Sequence, residues 1–243
     1  DSFLNLNGEW ELNGKKIIVP FPPESKASKY VGRKSSKWGY KKIFTIPKDF
    51  IKERVILHFG AVDQIADVFV DDKFVFHHEG GYLPFSVDIT DYLNEAEKHT
   101  LLVNVEDRLL HKYPYGKQTK NPGGMWYTPV SGIWQTVWLE SVPKDFISSV
   151  KIFTDKSRVD FLISGAENGS IEIETPDGIT KFDFKNGKAS LALENPIFWS
   201  PQNPYLYYCT VKSEQDEVKT YFAFRTLEIK EIDATAKNIS TLA

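Results

Sequence analysis

An aromatic stretch near the middle of the chain holds the residue types that bind sugars. Residues 122–140 read PGGMWYTPVSGIWQTVWLE and contain three tryptophans and one tyrosine. Aromatic rings stack on the C–H face of a pyranose, while neighbouring amides and charged groups bind its hydroxyls. The rival interpretation is a purely structural, interface-forming stretch. The candidate carbohydrate-binding residues are Trp126, Tyr127, Gln118, Asp107 and Arg108.

Other reactive side chains lack partners at the spacing that metal binding or covalent catalysis needs. His77 and His78 are consecutive, so on a strand they point to opposite faces and do not easily chelate one ion. Ser131 and Cys209 have no histidine at a recognisable motif spacing. The sequence therefore predicts no metal site, no cofactor and no nucleophilic serine or cysteine.

The composition is that of a globular protein with one large or two medium cores. The chain has 243 residues, 41% of them hydrophobic, and a net charge of -3. No run approaches the roughly 18 apolar residues of a membrane helix, and the single cysteine excludes an internal disulfide framework. The chain opens on Asp1-Ser2 without a signal sequence, which favours a cytoplasmic location unless a leader has been trimmed.

Positive charge is concentrated near the amino terminus. Residues 15–54 contain twelve Lys or Arg against three acids. This segment has no helix-period basic face, so a solvated or domain-docking surface is favoured over nucleic-acid binding. We expect neither nucleic acid nor membrane as a partner.

The hydrophobic pattern predicts an all-β protein. Short alternating runs rich in Val, Ile, Phe and Tyr recur between turn signals, as in RVILHFG, KFVFHHE and LLVNVED. Asp71-Asp72, PDG at 176–178 and NG at 186–187 mark hairpin turns. A break at Pro143 separates a predicted jelly roll at 1–142 from a predicted immunoglobulin-like sandwich of seven or eight strands at 143–232, followed by a flexible tail at 233–243.

The stretch at 132–140 is predicted to be one strand that follows a loop of more than twenty residues. Loops of that length are uncommon and tend to be functional or interface-forming. On one strand Trp134 and Trp138 would share a face. That face would be covered by the loop, by a second domain, by an absent domain, or by the core itself.

Several ordered segments resemble the non-catalytic front end of family 2 glycoside hydrolases, the β-galactosidase, β-glucuronidase and β-mannosidase group. They are LNGEW, VPFPPES, WGYKKIFTIP, the stretch 57–90 and SGIWQTVWLE, followed by NPIFWSPQNPYLYYCTV and FAFRTLEI. The resemblance reaches to about residue 232. It implies a galactose-binding-like jelly roll and then an immunoglobulin-like sandwich, with a catalytic (β/α)8 barrel after them in the parent enzyme.

The resemblance also implies where catalysis takes place. Retaining glycosidases need two carboxylates about 5.5 Å apart, and in this family both stand on the barrel, which takes roughly 250 residues and has no counterpart here. The one Asn-Glu pair, Asn94-Glu95, lies in a polar turn. Family members place an acid just before the equivalent Gly-Ile, but residues 119–139 contain no Asp or Glu. No catalytic residue is therefore expected in this chain, which should not hydrolyse glycosides alone.

Three roles follow as expectations. The first is an accessory part of a family 2 enzyme that supports the barrel and shapes the substrate entrance. The second is a free-standing carbohydrate-binding module that uses the loop with Trp126 and Tyr127. The third is a domain that assembles the parent enzyme into a homo-oligomer. The expected partners are accordingly the barrel, a glycan and a second copy of the parent.

Overall fold

The computed structural model describes residues 2–50, 52–94 and 96–226. The chain divides into two compact units, with the division between Lys144 and Asp145. The predicted domain limits at residues 142 and 232 stay predictions. The predicted tail at 233–243 and Glu95 of the Asn-Glu pair lie outside the described residues.

The first unit is built from antiparallel strands in two main sheets. One has the order β1-β12-β5-β9, a second has the order β3-β2-β4-β10-β7-β8, and β11 pairs with β6 alone. Two 3-10 turns lie at Lys26–Ser28 and Thr90–Tyr92. The strands are β1 (Ser2–Asn5), β2 (Gly8–Leu12), β3 (Lys15–Val19), β4 (Lys37–Phe44), β5 (Arg54–Phe59), β6 (Val62–Asp63), β7 (Ile65–Val70), β8 (Lys73–Glu79), β9 (Phe85–Asp88), β10 (His99–Glu106), β11 (Gly132–Ile133) and β12 (Val137–Val142).

Alternation of apolar residues creates the core of this unit. In β7 every second residue is buried, and Ala66, Val68 and Val70 face inward. They pack in one hydrophobic cluster with inward residues of both main sheets, among them Leu57 of β5 and Leu139 of β12. The two sheets therefore form a sandwich with a shared apolar interior.

The predicted hairpin at Asp71-Asp72 is confirmed. Both residues have positive φ, +47° and +63°, as a two-residue turn between antiparallel strands requires. The Asp71 carboxylate accepts a hydrogen bond of 2.8 Å from the Thr100 backbone N–H and lies 2.7 Å from Nδ1 of His99. The turn between β7 and β8 is thus fastened to β10.

The prediction of one strand over 132–140 is wrong. β11 pairs with β6, whereas β12 begins only at Val137 and pairs with β5 and β1. Between them the indole of Trp134 donates to the carbonyl of Gly81 at 2.8 Å and its ring meets Tyr82 edge-on. The chain changes sheets here, because a straight strand could not satisfy both sets of partners.

Trp134 and Trp138 are therefore covered by different neighbours. The ring of Trp138 stacks on His58 with centroids 4.7 Å apart and lies 6.4 Å from the ring of Phe3. Tyr82 covers Trp134. Both indoles are half-buried, and the rings that contact them belong to the first unit.

The second unit is a seven-stranded antiparallel arrangement with the order β13-β14-β17-β16-β15-β18-β19. A single residue pair, Lys185 with Lys188, joins β16 to β17, so the strands fold into two layers around a core that includes Phe161, Phe184 and Val211. The predicted turns at 176–178 and 186–187 are confirmed. The strands are β13 (Ser149–Asp155), β14 (Arg158–Ser164), β15 (Asn168–Thr175), β16 (Gly178–Lys185), β17 (Lys188–Ala192), β18 (Tyr207–Lys212) and β19 (Glu217–Phe222).

Candidate carbohydrate-binding site

The loop between β10 and β11, residues 107–131, is fastened to the first unit near its start. Gln64 is fully buried and lies directly before β7. Its amide donates to the carbonyl of Leu110 and accepts from the N–H of Leu110, both at 3.0 Å. Because a buried polar group without a partner costs roughly 1–3 kcal/mol, this reciprocal pair fixes the first turn of the loop.

Gln118 fastens the middle of the loop. Only 7% of this residue is exposed. Its Oε1 accepts from the N–H of Val130 at 2.6 Å, and its Nε2 donates to the carbonyl of Tyr115 at 2.8 Å and to the hydroxyl of Tyr82 at 3.2 Å. Both amide protons are in use, so Gln118 holds the loop in shape and has no proton left to donate to a sugar hydroxyl.

The end of the loop is fixed by Glu24 and by Gly132. The carboxylate of Glu24 accepts from the hydroxyl of Ser131 at 2.7 Å and from its N–H at 3.2 Å. Gly132 has φ of +76°, and a Cβ there would lie well under 3.0 Å from the hydroxyl of Tyr40. Only glycine fits at this point, so the loop re-enters β11 along one path.

The tip of the loop presents its aromatic rings on hydrogen-bonded backbone. The N–H of Tyr127 donates to the carbonyl of Lys117 at 2.9 Å, and the N–H of Thr119 donates to the carbonyl of Tyr127 at 3.2 Å. A turn closes between Gly123 and Trp126 at 3.1 Å. Trp126 is 47% exposed and Tyr127 is 63% exposed. Both rings are open to solvent and are carried by backbone that is held by hydrogen bonds.

Two cavities flank the loop. One of about 480 Å³ is lined by Asp107 and Arg108, together with Glu24, Lys34, Lys120 and Ser131. The other, of about 400 Å³, is lined by Arg108, Gln118 and Trp126, together with His111, Tyr115 and Lys120. The structure thus brings three of the five predicted residues to one cavity and places Asp107 in the neighbouring one. Tyr127 lines neither of the two.

Asp107 and Arg108 have internal partners. The Asp107 carboxylate accepts from the N–H of Leu109 at 2.7 Å. Burial raises the pKa of Asp107, and the Leu109 N–H and the positive charge of Lys120 oppose that rise. Nε of Arg108 lies 2.6 Å from a carboxylate oxygen of Glu106. The two side chains therefore contribute charged groups to the cavity lining, while Leu109 and Glu106 hold them in place.

Asp63 lies beneath the loop and is the group most strongly perturbed among the carboxylates there. It is 3% exposed and its Oδ1 has no hydrogen-bond partner among the described residues. Burial, the charge of Asp107 and the charge of Glu24 raise the pKa of Asp63 to about 7, against the effect of the Gln118 amide. A Cβ on residue 81 would collide with this carboxyl group, so Gly81 is needed for its burial.

Sequence reasoning missed Asp63, Gln64 and Glu24. Their only signal is a polar residue in or beside an apolar run, as in GAVDQIADV for the first two. Such a residue is buried only when the fold supplies partners from distant segments, here the loop 107–131. The contacts between these residues and the loop cannot be predicted without knowing the register of β6 and β7.

The other reactive side chains stay apart from this site. His77 lies 2.6 Å from Asp67, whereas His78 contacts the carbonyl of Gly80 at 3.0 Å and stacks on Phe85. The part of the chain that the structure describes has no cluster of three or more His, Cys, Asp or Glu suited to a metal ion. Burial raises the pKa of the Cys209 thiol to about 11, which makes it a poor nucleophile.

Among the described residues, no helix is both long and apolar enough to cross a membrane.

Comparison with known families agrees with the architecture. Residues 13–133 match the model described as glycosyl hydrolase 2 galactose-binding domain-like, and residues 144–225 match the model described as glycosyl hydrolases family 2. The fold is thus a galactose-binding-like jelly roll followed by an immunoglobulin-like sandwich. The chain belongs to family 2 of the glycoside hydrolases.

Individual relatives place the chain within this family. It is 29% identical over 209 residues to a β-galactosidase of Thermoanaerobacter pseudethanolicus, and the matched region covers 77% of this chain and 27% of that protein. It is 26% identical over 222 residues to a putative β-glucuronidase of Formosa agariphila, covering 82% of this chain and 26% of that protein. The chain therefore spans about a quarter of the length of these two relatives.

A solved structure shows the same fold. The β-glucuronidase of Faecalibacterium prausnitzii superposes with a TM-score of 0.75 at 21% identity, covering 94% of this chain and 47% of that one. At this level of identity the likeness establishes the architecture alone.

Proposed function

We propose that this chain is the non-catalytic amino-terminal portion of a family 2 β-glycosidase, that it supports the catalytic barrel, and that its loop 107–131 shapes the substrate entrance. The observation that carries the proposal is the loop itself, which is fastened by Gln64, Gln118 and Glu24 and presents Trp126 to solvent. A loop whose backbone is already held in place loses less conformational entropy when a ligand binds. Within the loop, Trp126 supplies the stacking surface for a sugar ring.

Supporting contacts of this kind are weak one at a time. A single aromatic ring on a pyranose face, with a few polar neighbours, gives dissociation constants on the order of 1 mM. An entrance subsite needs no more, because the barrel supplies the remaining binding energy in the parent enzyme. The chain should accordingly bind simple glycosides weakly by itself.

Saturation-transfer NMR with methyl β-D-galactoside and methyl β-D-glucuronide tests the carbohydrate contact. We expect signal transfer to ring protons of at least one glycoside, lost in Trp126→Ala. Tyr208→Ala is the matched control, because Tyr208 is similarly exposed but lies on β18 of the second unit. Equal transfer in wild type and in Trp126→Ala would contradict the assignment of Trp126.

A free-standing carbohydrate-binding module is the second candidate, and the same exposed Trp126 and Tyr127 favour it. The two roles differ in affinity. A module that works alone needs dissociation constants nearer 1–100 µM, which calorimetry resolves with oligosaccharides. Micromolar binding lost in Trp126→Ala favours the module, whereas flat calorimetric traces together with millimolar NMR binding favour the entrance subsite.

A further inference from the structure

The cavity of about 400 Å³ beside Trp126 has an uneven charge lining. Two of its lining residues, Arg108 and Lys120, are cations, and no Asp or Glu lines it. The neighbouring cavity of about 480 Å³ differs, because Glu24 and Asp107 line it as well. Arg108 and Lys120 line both cavities, and Lys34 lines the larger one as well, so the Trp126 cavity is distinguished by having no carboxylate in its lining to offset the two cations.

Both cations keep donors for a ligand. Arg108 uses Nε toward Glu106, and its two Nη groups form no hydrogen bond with the described residues. Lys120 has no carboxylate within 4.0 Å in that same part of the chain, although the Asp107 carboxylate is near enough for the lysine to lower its pKa. Glu106 and Asp107 thus offset the two positive charges only in part.

Aromatic rings line the same cavity. Trp126 lies on it, and His111 and Tyr115 stack on each other with centroids 4.6 Å apart and ring planes 5° from parallel. The cavity volume of about 400 Å³ is within the range of small-molecule sites. A pyranose ring can lie against an aromatic face here while a charged substituent points toward Arg108 or Lys120.

We propose that the Trp126 cavity is a subsite for acidic saccharides, in which Arg108 and Lys120 bind the anionic group of a uronic acid or of a sulfated sugar. The inference rests on the proposed carbohydrate contact of the loop and adds the class of sugar. Arg108 recognises a planar carboxylate or a sulfate through its guanidinium fork, and Lys120 acts as a point charge. The neutral sugar ring is held by Trp126.

The test compares ligands that differ only in charge. Methyl β-D-glucuronide and methyl β-D-glucoside differ at C6 alone, and methyl β-D-galactoside 6-sulfate against methyl β-D-galactoside separates sulfate from carboxylate as the source of the anion. Dissociation constants of the full 243-residue chain are measured by NMR titration at 20 mM and 300 mM salt. Two exposed ion pairs predict that at least one acidic ligand binds about tenfold more tightly than its neutral counterpart.

Charge-removing variants locate the effect. In Arg108→Gln and Lys120→Gln we expect the ratio of acidic to neutral affinity to fall toward one. Lys117→Gln is the matched control, since this exposed lysine is on the same loop but does not line the cavity. The ratio should also shrink at 300 mM salt, where charges are screened beyond roughly 6 Å.

The outcomes separate the two proposals. If neither acidic ligand binds more tightly than its neutral counterpart, the acidic subsite is wrong while the carbohydrate contact stands. If a preference exists but survives both Arg108→Gln and Lys120→Gln, the anion binds elsewhere and the assignment is overturned. If no glycoside binds, acidic or neutral, the carbohydrate contact itself fails and the subsite fails with it.

Discussion

The side-chain amide of Gln64 and the backbone of Leu110 form two hydrogen bonds of 3.0 Å across 46 residues of sequence. Gln64 lies between β6 and β7 in the interior of the first unit, whereas Leu110 lies near the start of the loop that carries Trp126. A buried side chain thereby fixes the position of the start of an exposed loop. The position of the candidate site depends on the core more than on the loop's own sequence.

Replacing Gln64 by alanine should release the start of the loop. The change removes two hydrogen bonds and leaves the half-buried N–H of Leu110 without its partner, whereas the Leu110 carbonyl still accepts from the N–H of Tyr113. We expect a cost of about 1–3 kcal/mol. Urea unfolding followed by tryptophan fluorescence measures it, because five of the six tryptophans belong to the first unit. Trypsin should also cut faster at Lys112 and Lys117. The exposed Gln135→Ala is the control, and equal stability and cleavage in both variants would refute the role of Gln64.

Asp63 should make the first unit less stable as pH rises from about 4 to about 7. Its pKa in the folded chain is about 7 because of burial and the nearby Asp107 and Glu24 charges, whereas an unfolded aspartate titrates near 3.9. Over this interval the unfolded chain loses its proton while the folded chain keeps it, so stability falls with pH, by on the order of 4 kcal/mol in total. Above pH 7 this contribution is constant.

Asp63→Asn removes that dependence, since an amide does not titrate. We expect the variant to be more stable than wild type at pH 8 and to lose less stability between pH 5 and pH 8, as measured by urea unfolding at a series of pH values. Asp72→Asn, at an exposed carboxyl in the β7–β8 turn, controls for the change in net charge. A pH profile of Asp63→Asn that parallels wild type would show that Asp63 is not the titrating group.

Gly132→Ala should destabilise the re-entry of the loop into β11. The positive φ and the collision of a new Cβ with Tyr40 together should cost more than about 2 kcal/mol. Gly123→Ala is the matched control, since residue 123 in the same loop has open space around a Cβ. Thermal unfolding of the two variants compares them directly. A Gly132→Ala protein as stable as Gly123→Ala would mean that the backbone adapts at residue 132.

The architecture followed from the sequence because its signals are local. Alternation in IADVFV gives β7 its buried face, and Asp71-Asp72 and Asn186-Gly187 form turns that need positive φ. The ordered resemblance to family 2 then supplied the order of the two sandwiches. Apolar alternation and turn residues are read within a few residues, and the family resemblance is read along continuous segments. Neither requires knowledge of a long-range contact.

The candidate site was predicted only in part because its geometry depends on distant contacts. Trp126 and Tyr127 are exposed on the loop, as a sugar-binding surface requires. Gln118, however, is buried by Tyr82 and Val130, and Trp134 leaves the predicted strand to bond with Gly81. The partners of these residues lie on other strands and loops, and nothing in the spacing of PGGMWYTPVSGIWQTVWLE indicates them.

The central claim is that this chain is a non-catalytic part of a family 2 glycosidase. Its most direct test is a turnover assay of the purified chain with aryl β-galactoside, β-glucuronide and β-mannoside. We predict no hydrolysis above the uncatalysed rate for any of the three. Hydrolysis that is abolished by a single carboxylate substitution, such as Asp63→Asn or Asp107→Asn, would contradict the claim.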